Sequence, residues 1–532
     1  MSVPRRLSVV SRTEMPEQSN GAESLVRTLV AGGVDTCFAN PGTSEIHLVA
    51  ALDRVPEIRC VLGLFEGVVT GAADGYARMA EKPACTLLHL GPGLANGLAN
   101  LHNASRAHVP IVNLIGQHPR AHLRYDTPLK SDIEAIGRPY SQWLRTSVDG
   151  SGIGQDAVEA ILAARTAPGQ IATLIVPADV AWSEAGTVAA LPDLPKPKLP
   201  ATTTIARAAT ALRSGLPTAI LLSGNALYGK GLLAAGGIAA ATGAKLLAPY
   251  PLPRLRRGSG IPTVDRVQYV LEQGVEQFKE FQQLILVGAP APVAYFAYPG
   301  KSGVFASPTC EIQTLAALGE DYVGALEALA AALSAREIQP RTEKPDRPGL
   351  PSGEITLPGL AAAVGALLPE NCIVVDESMT SGRGLMAATR GAPPHDWLGN
   401  TGGSIGIALP LAVGAAVACP DRRVLCLTAD GSGMYTLQAL WTMAREGLNI
   451  TTVVFANRDY AVLKREFSYL GVGIPGPRAA AMFEIGRPDL DWVALAKGMG
   501  VPGTRVNSLD AFGKALRAGM EGEGPSLIEV PL

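Results

Sequence analysis

The chain has 532 residues, of which 47% are hydrophobic and 17% are charged, and its 45 basic side chains nearly balance 47 acidic ones. This length exceeds what a single hydrophobic core serves and predicts about three domains. The charge balance excludes the basic surface expected of a protein that binds nucleic acid or an anionic membrane.

The N-terminal residues 1–20 are polar and without periodicity, so we expect a disordered tail. No apolar run qualifies as a membrane span, and no signal-type apolar core follows the basic start. Seven cysteines are scattered without metal-ligand spacing, and four of them lie in strand-like apolar runs: Cys37, Cys85, Cys372 and Cys426. Buried free thiols are therefore expected. These features favour a soluble, cytoplasmic protein without nucleic-acid or membrane partners.

Two polar, proline-rich stretches divide the chain, because 191–204 and 336–353 cannot pack as helices or central strands. They predict a first domain over 21–190, a central domain over 201–335 and a third domain over 354–532. Apolar strands such as IVNLIGQ, TAILLSG and RVLCLTAD alternate with helical segments in all three. We therefore expect an α/β fold of three doubly wound parallel-sheet domains.

The first domain carries candidate acid and base residues at the ends of apolar runs. Glu66 stands in LFEGVVTGAADGYAR, where an isolated Glu would be an acid favoured by a helix N-terminus. Glu45, in FANPGTSEIHL, is expected to be a polar loop residue. His89 follows the strand ACTLL and is either a structural histidine or an acid/base near a carbonyl substrate. His118, in IGQHP, is a second candidate of this kind.

The third domain places oxygen ligands at the ends of two neighbouring strands. RVLCLTAD ends at Asp430, before a turn into an amphipathic helix that starts near Ser432, and NITTVVFAN ends at Asn457. In an open parallel sheet these side chains and a carbonyl near Asp459 can converge as ligands for magnesium. The helix start favours a phosphate there. The pattern predicts a diphosphate clamp; the alternative is a tight turn in an ordinary α/β domain.

The stretch from Ala429 to Asp459 resembles the thiamine-diphosphate signature, GDG followed by NN, with Ala429 and Ala456 replacing one residue of each part. The first-domain motifs resemble the pyrimidine-binding domain of the same enzymes. The chain is thus similar, over nearly its whole length, to thiamine-diphosphate-dependent 2-oxo-acid decarboxylases and carboligases of the acetolactate synthase and benzoylformate decarboxylase branch.

This resemblance implies thiamine diphosphate and magnesium as cofactors. Glu66 would contact the aminopyrimidine ring and promote removal of the thiazolium proton. In NTGGSIGIALPLAVGAAVA, Gly403 would offer its carbonyl to the ring amino group, and Ile405 would bend the cofactor. The remaining cofactor contacts implied are Thr380, Gly431 and Ser432, and the metal ligands implied are Asp430, Asn457 and Asp459.

The resemblance also implies that one subunit's pyrimidine domain and another's pyrophosphate domain close over each cofactor. A homodimer or homotetramer is therefore expected, and a regulatory subunit is possible. The central domain lacks an LGMHG-type segment, which puts binding of FAD in doubt.

The reaction is inferred from two aligned positions. His89 matches the active-site histidine of benzoylformate decarboxylase, whereas Phe296 stands where that enzyme has a second histidine. Loss of a proton donor disfavours aldehyde release and favours attack on a second carbonyl, so we predict an acetolactate synthase-like carboligase. Two alternatives remain: a benzoylformate-type decarboxylase, and a catalytically silent partner subunit, which the replacements at Ala429 and Ala456 suggest.

Overall fold

Three sheets of six, five and seven strands form the framework of the molecule. The computed structural model describes residues 19–184 and 186–532, so residues 1–18 of the predicted tail lie outside the described residues. The predicted α/β architecture of three parallel-sheet domains is confirmed.

The first sheet is entirely parallel, in the order β2-β1-β3-β4-β6-β5. Its strands are β1 (Thr36–Asn40), β2 (Arg59–Leu62), β3 (Ala84–Leu88), β4 (Ile111–Gln117), β5 (Trp143–Thr146) and β6 (Ile171–Pro177). Its helices are α1 (Gly21–Ala31), α2 (Ile46–Arg54), α3 (Glu66–Ala80), α4 (Leu90–Ala107), α5 (Ile133–Gly137), α6 (Ile153–Arg165) and α7 (Ala178–Trp182). Asn20 caps α1 by accepting a hydrogen bond from the amide of Glu23.

The central sheet runs β10-β8-β7-β11-β12 and is also parallel. Its strands are β7 (Thr218–Leu222), β8 (Lys245–Ala248), β10 (Asp265–Arg266), β11 (Gln283–Val287) and β12 (Glu311–Ala316). Its helices are α8 (Thr202–Arg213), α9 (Gly229–Thr242), α10 (Leu271–Phe278) and α11 (Tyr322–Ala332). The intervening β9 (Leu255–Arg257) leaves this sheet and joins the third, which ties the two together.

The third sheet runs β17-β18-β16-β15-β13-β14-β9, and only β9 at its edge is antiparallel. Its other strands are β13 (Ile373–Glu377), β14 (His395–Gly399), β15 (Val424–Ala429), β16 (Ile450–Ala456), β17 (Gly503–Arg505) and β18 (Ser526–Pro531). Its helices are α12 (Leu357–Leu367), α13 (Leu385–Ala388), α14 (Ala408–Ala418), α15 (Asp430–Gly433), α16 (Ala439–Arg445), α17 (Ala461–Tyr469), α18 (Pro477–Phe483), α19 (Trp492–Gly498) and α20 (Leu509–Glu521).

Two expectations from the sequence concern the buried cysteines and membrane-spanning helices. The four cysteines expected to be buried are buried and free, which confirms that prediction. Over residues 19–184 and 186–532, none of the helices combines the length and the apolar character that a bilayer crossing needs.

Helices α3 and α14 join the first domain to the third by direct backbone contact. A Cβ on Gly414 would overlap the carbonyl oxygen of Ala72, and a Cβ on Gly75 would overlap that of Leu411. Glycine is therefore required at both positions, because any side chain would push the helices apart. The α14 sequence is apolar on every face, and all but the last of its residues are buried.

Arg78, at the end of α3, connects all three parts of the chain. Its buried guanidinium pairs with Asp74 at 2.6 Å and 2.7 Å. The same group donates to the carbonyl of Gly399 at 2.8 Å, to that of Pro253 at 3.1 Å and to the hydroxyl of Thr401. Since every donor of this side chain group has a partner, the buried charge is compensated.

We expect Gly414→Ala to lower the thermal unfolding midpoint, because the added methyl forces α3 and α14 apart at a cost of about 1–3 kcal/mol. Gly498→Ala is the matched control, since it also lies in a helix but has nothing within 4 Å of its Cβ position. Thermal unfolding followed by circular dichroism measures both. Equal midpoints for the two variants would contradict the assigned close packing.

Candidate active site

The carboxyl ends of the first-domain strands carry Glu66, Glu45, His89 and His118, each at or just beyond a strand. Glu66 opens α3, after β2, and is 8% exposed. Its Oε2 accepts a hydrogen bond from the Asn96 amide at 3.0 Å, and Gly93 lies against its other oxygen. The carboxyl group is therefore held in one orientation at the edge where ligands bind to parallel sheets.

His89 is hydrogen-bonded to Glu45. Its Nδ1 lies 2.7 Å from Oε2 of Glu45, which also accepts from the amide of Gly42 at 2.8 Å. Cβ atoms on Gly42 or Gly116 would overlap the ring or the carboxylate. The expectation that Glu45 is a polar loop residue was wrong, because the side chain is completely buried against these glycines. A carboxylate on Nδ1 fixes the ring so that Nε2 is the nitrogen left for chemistry.

His118 follows β4 and lies close to the same pair. Its Nε2 lies 3.2 Å from the hydroxyl of Thr127, and its ring centroid is 5.6 Å from that of His122. Burial lowers the pKa of His118, and His122 and His89 add to the decrease. His118 is therefore disposed to be neutral and to act through a hydrogen bond rather than as a cation.

Asp430 and Asn457 follow β15 and β16, which pair in parallel. The Asp430 carboxylate is 2% exposed and accepts from the amides of Gly431 at 2.9 Å and Arg458 at 2.6 Å. Burial raises the pKa of Asp430. The Asn457 amide oxygen accepts from the amide of Asp459 at 3.2 Å. Because only main-chain amides contact these oxygens, both retain lone pairs for a cation.

The carboxylate of Asp459 is paired with Lys464, and its Oδ1 is buried without a hydrogen-bond partner in the described residues. Its buried Oδ1 and its main-chain carbonyl are thus both oxygens that a cation could bind. Among residues 19–184 and 186–532, no cluster of three or more His, Cys, Asp or Glu side chains could hold a metal. A cation here would need amide and carbonyl oxygens beside Asp430, which is the donor set that suits magnesium.

The amphipathic helix predicted to start near Ser432 is not continuous. The path consists of the four-residue α15, a 3-10 turn over Met434–Thr436, and α16. Packing explains the change, since Gly433 lies against the Trp492 ring and Tyr435 against Gly406. The helix-dipole argument for a phosphate is correspondingly weak; Gly431, which lies against the Tyr460 ring, and the buried Ser432 remain the local candidates for contact.

The loop between β14 and α14 carries Gly403 and Ile405. Gly403 adopts φ +82° and is exposed, a conformation that favours glycine, and Asn400 accepts a hydrogen bond from its amide at 2.7 Å. Ile405 is half-buried. Asn103 of α4 contacts the loop through Ser404, at 2.8 Å and 3.1 Å. The loop is thus rigidly positioned, with its glycine accessible.

Glu377, which the sequence did not single out, orients the Gly403 loop through hydrogen bonds. It ends β13 and is 3% exposed, and it accepts from the amides of Gly406 at 3.0 Å and Ala408 at 3.1 Å and from the Asn400 side chain at 3.2 Å. Burial raises the pKa of Glu377 to about 7. The acid in NCIVVDE at a strand end was the available signal.

Strained turns mark three of the candidate positions. Leu90, Met379 and Arg458 have φ of +50°, +50° and +56°, although none is glycine. Leu90 directly follows His89, and Arg458 directly follows Asn457. Met379 directly precedes the half-buried Thr380. Such conformations cost about 1–3 kcal/mol each and cluster at functional sites.

A central-domain segment after β11 covers the Gly403 loop. A Cβ on Gly403 would overlap the hydroxyl of Tyr295. The neighbouring Phe296 is 51% exposed, with its ring centroid 5.3 Å from that of Tyr295. The segment therefore brings aromatic rings to the edge that Asp430 and Gly403 share.

Polar groups and glycines thus line the carboxyl edges of the first and third parallel sheets, and aromatic rings of the central domain lie over the Gly403 loop. Residues 19–137 match the thiamine pyrophosphate enzyme N-terminal TPP binding domain, and residues 381–530 match the C-terminal TPP binding domain. The chain belongs to the thiamine pyrophosphate enzyme family.

Full-length relatives agree with this assignment. IlvX of Mycobacterium tuberculosis, named provisionally as an acetolactate synthase large subunit, is 51% identical over 516 residues, covering 96% of this chain and 98% of its own. Benzoylformate decarboxylase of Pseudomonas aeruginosa is 28% identical over 523 residues, covering 94% and 96%. The solved 4-hydroxybenzoylformate decarboxylase of Rhodococcus jostii has a TM-score of 0.85 at 23% identity, covering 96% and 99%, which shows a shared fold.

We expect stability to fall as pH rises from about 4.5 to about 7, because the folded state holds the proton of Glu377 more tightly than the unfolded chain does. The slope for one proton is at most about 1.4 kcal/mol per pH unit. In Glu377→Gln this contribution disappears, whereas Asp376 and Cys426, the ionisable neighbours, remain in both proteins. Unfolding midpoints across this range measure the difference; parallel pH curves would contradict it.

Proposed function

We propose that the protein uses thiamine diphosphate and magnesium to decarboxylate a 2-oxo acid and then to join the product to a second carbonyl compound, as acetolactate synthases do. The observation that carries the second step is the phenyl ring of Phe296 in the segment over Gly403. Its neighbour Tyr295 is a weak acid, because burial raises its pKa. Since neither Tyr295 nor Phe296 is a good proton donor, ligation is favoured over aldehyde release.

The residues present suit the cofactor. Asp430, Asn457 and the carbonyl of Asp459 would hold magnesium, with Thr380, Gly431 and Ser432 near the diphosphate. Gly403 and Ile405 would contact the pyrimidine end. When bound, thiamine diphosphate supplies an electron sink for the carbon that loses carbon dioxide.

Side chains of the protein itself would then donate and accept the protons of the reaction. Glu66, held by Asn96, is placed to exchange a proton with the pyrimidine ring. His89, fixed through Nδ1 by Glu45, would present Nε2 to a substrate carbonyl or carboxylate. The Glu66 carboxyl is nearly buried, whereas the His89 side chain is 22% exposed and its partner Glu45 is fully buried.

We propose further that two copies build each site. Within one chain, Glu66 and the Gly403 loop contact α4 at Asn96 and at Asn103, two places about 10 Å apart along the helix, so the two groups do not meet there. Exposed apolar side chains accompany both halves in the chain: Ile46 follows Glu45 and Leu64 precedes Glu66 by two residues, whereas Met379 precedes Thr380, and Met434 and Tyr435 lie in the turn after α15. Contacts between the subunits of a homodimer or homotetramer would remove both sets of apolar side chains from water.

FAD is not part of the proposal, because Tyr322 fills the crevice where a nucleotide would bind in the central sheet. The switch point lies between β7 and β11, and Cβ atoms on Gly288 or Gly224 would press on the Tyr322 ring. Tyr322 is 8% exposed, and its hydroxyl accepts from the amide of Gly319 at 3.2 Å. Open α/β sheets bind ligands at this point, so the ring closes it.

A second candidate, simple decarboxylation, is favoured by the His89–Glu45 pair. A histidine fixed by a buried carboxylate is a competent acid. The relative named benzoylformate decarboxylase, at 28% identity, is consistent with this alternative. Free buried cysteines are compatible with a reducing compartment such as the cytoplasm for either function.

We expect metal-stripped protein to bind thiamine diphosphate only with magnesium, measured by calorimetry, and to release carbon dioxide from a 2-oxo acid in a panel. Glu66→Gln should retain binding and lose about 10²–10⁴-fold in turnover. Unchanged turnover in Glu66→Gln would overturn the role of Glu66. Binding without any turnover in the parent protein would instead identify a silent partner subunit.

Replacing Phe296 by histidine should place a proton donor in the segment over Gly403. We expect Phe296→His to shift products from the ligated hydroxyketone toward free aldehyde, and Phe296→Leu, the matched control, to leave the product ratio near that of the parent. Gas chromatography of both products gives the ratio. A parent protein that releases only aldehyde would favour the second candidate.

A further inference from the structure

Three tyrosines from separate strands of the central sheet form a continuous surface, here called the tyrosine wall. Tyr250 follows β8, Tyr269 follows β10 and Tyr295 follows β11, so all three lie at the carboxyl edge. Their ring centroids are 4.9 Å apart for Tyr250 and Tyr269, 5.6 Å for Tyr269 and Tyr295, and 6.2 Å for Tyr250 and Tyr295. Spacings of this size are those of interacting aromatic rings.

The tyrosine wall lies over the candidate active site. The Tyr295 hydroxyl sits on Gly403, where a Cβ would overlap it. Burial raises the pKa of Tyr250, and the nearby Asp376, at the end of β13, adds to the increase. The wall therefore extends from the Gly403 loop toward Asp376 of β13.

The wall is unlike a core cluster of the same domain. Phe278, Phe281 and Phe305 pack at 5.8 Å and 6.1 Å and are 0–4% exposed, as structural aromatics are. Tyr295, in contrast, is 39% exposed and continues into Phe296. An accessible aromatic face beside a cofactor edge is a surface suited to a planar ligand.

A cationic group completes the surface. The Arg465 guanidinium of α17 lies 5.5 Å from the Tyr269 ring centroid and 5.8 Å from that of Tyr469. One terminal nitrogen of this guanidinium lies 3.5 Å from the Glu466 carboxylate, whereas its Nε is buried and has no hydrogen-bond partner within the part of the chain that the structure describes. A buried donor without a partner is costly, and a ligand carboxylate would satisfy it.

We propose that the tyrosine wall is the subsite for an aromatic ring carried on the carbonyl carbon of the donor, so that the substrate class is an aryl-substituted 2-oxo acid. This inference rests on the proposed function. The ring would stack against Tyr295 and Tyr269, and the free Nε of Arg465 would meet an oxygen of the acid. A methyl group, as in pyruvate, would leave the wall uncovered.

The test compares benzoylformate with pyruvate as donor, by carbon dioxide release, in the cofactor-loaded protein. We expect the parent to favour benzoylformate in kcat/KM. Tyr295→Leu, which removes the ring, should lower the benzoylformate-to-pyruvate ratio by about tenfold. Tyr295→Phe keeps the ring and should keep the ratio, which separates stacking from any effect of the hydroxyl.

Two results would overturn the subsite: a parent that favours pyruvate, or equal losses for both donors in Tyr295→Leu. Calorimetry with thiamine diphosphate and magnesium on the same preparations separates this failure from that of the proposed function. Cofactor binding with turnover of pyruvate alone would reject only the subsite. Absence of cofactor binding would reject the proposed function and the subsite with it.

Discussion

The contact between α3 and α14 is the constraint on which the rest of the molecule depends. Gly75 and Gly414 allow main chain to meet main chain, so the distance between the first and third domains is set by backbone atoms rather than by adaptable side chains. Arg78 then fixes the rotation, because its donors reach Asp74, Gly399 and Pro253. The first and third domains of one chain are thereby held in a defined relation, so each presents its strand edge in a fixed direction.

The sequence allowed much of this framework to be predicted. Strands such as RVLCLTAD and NITTVVFAN are apolar runs bounded by polar residues, and their ends at Asp430 and Asn457 coincide with the ends of β15 and β16. Gly403 is singled out by the family resemblance within a Gly-rich turn, and the structure gives it a positive φ of +82°. These features are local, so a pattern in the chain is sufficient to reveal them.

Other features depend on tertiary packing and could not be read locally. Glu45 looks like an ordinary polar residue, and only the surrounding glycines and His89 make it a buried acceptor. The strand-end position of Glu377 is visible in the sequence, but its burial against the amides of Gly406 and Ala408 depends on packing. The helix after Asp430 was predicted as continuous, but Trp492 and Gly406 arrive from distant parts of the chain and divide it. The departure of β9 to the third sheet likewise has no local signal.

The strained turns at Leu90, Met379 and Arg458 have a consequence for how the molecule responds to selection. Glycine would relieve about 1 kcal/mol or more of backbone strain at each turn. Leu90 is fully buried, however, so losing its side chain would cost more packing energy than the strain returns. Met379 is 42% exposed and has little packing to lose. Thermostability screens would therefore be drawn to the Met379 turn, and the variants they return would hold Thr380 on looser backbone.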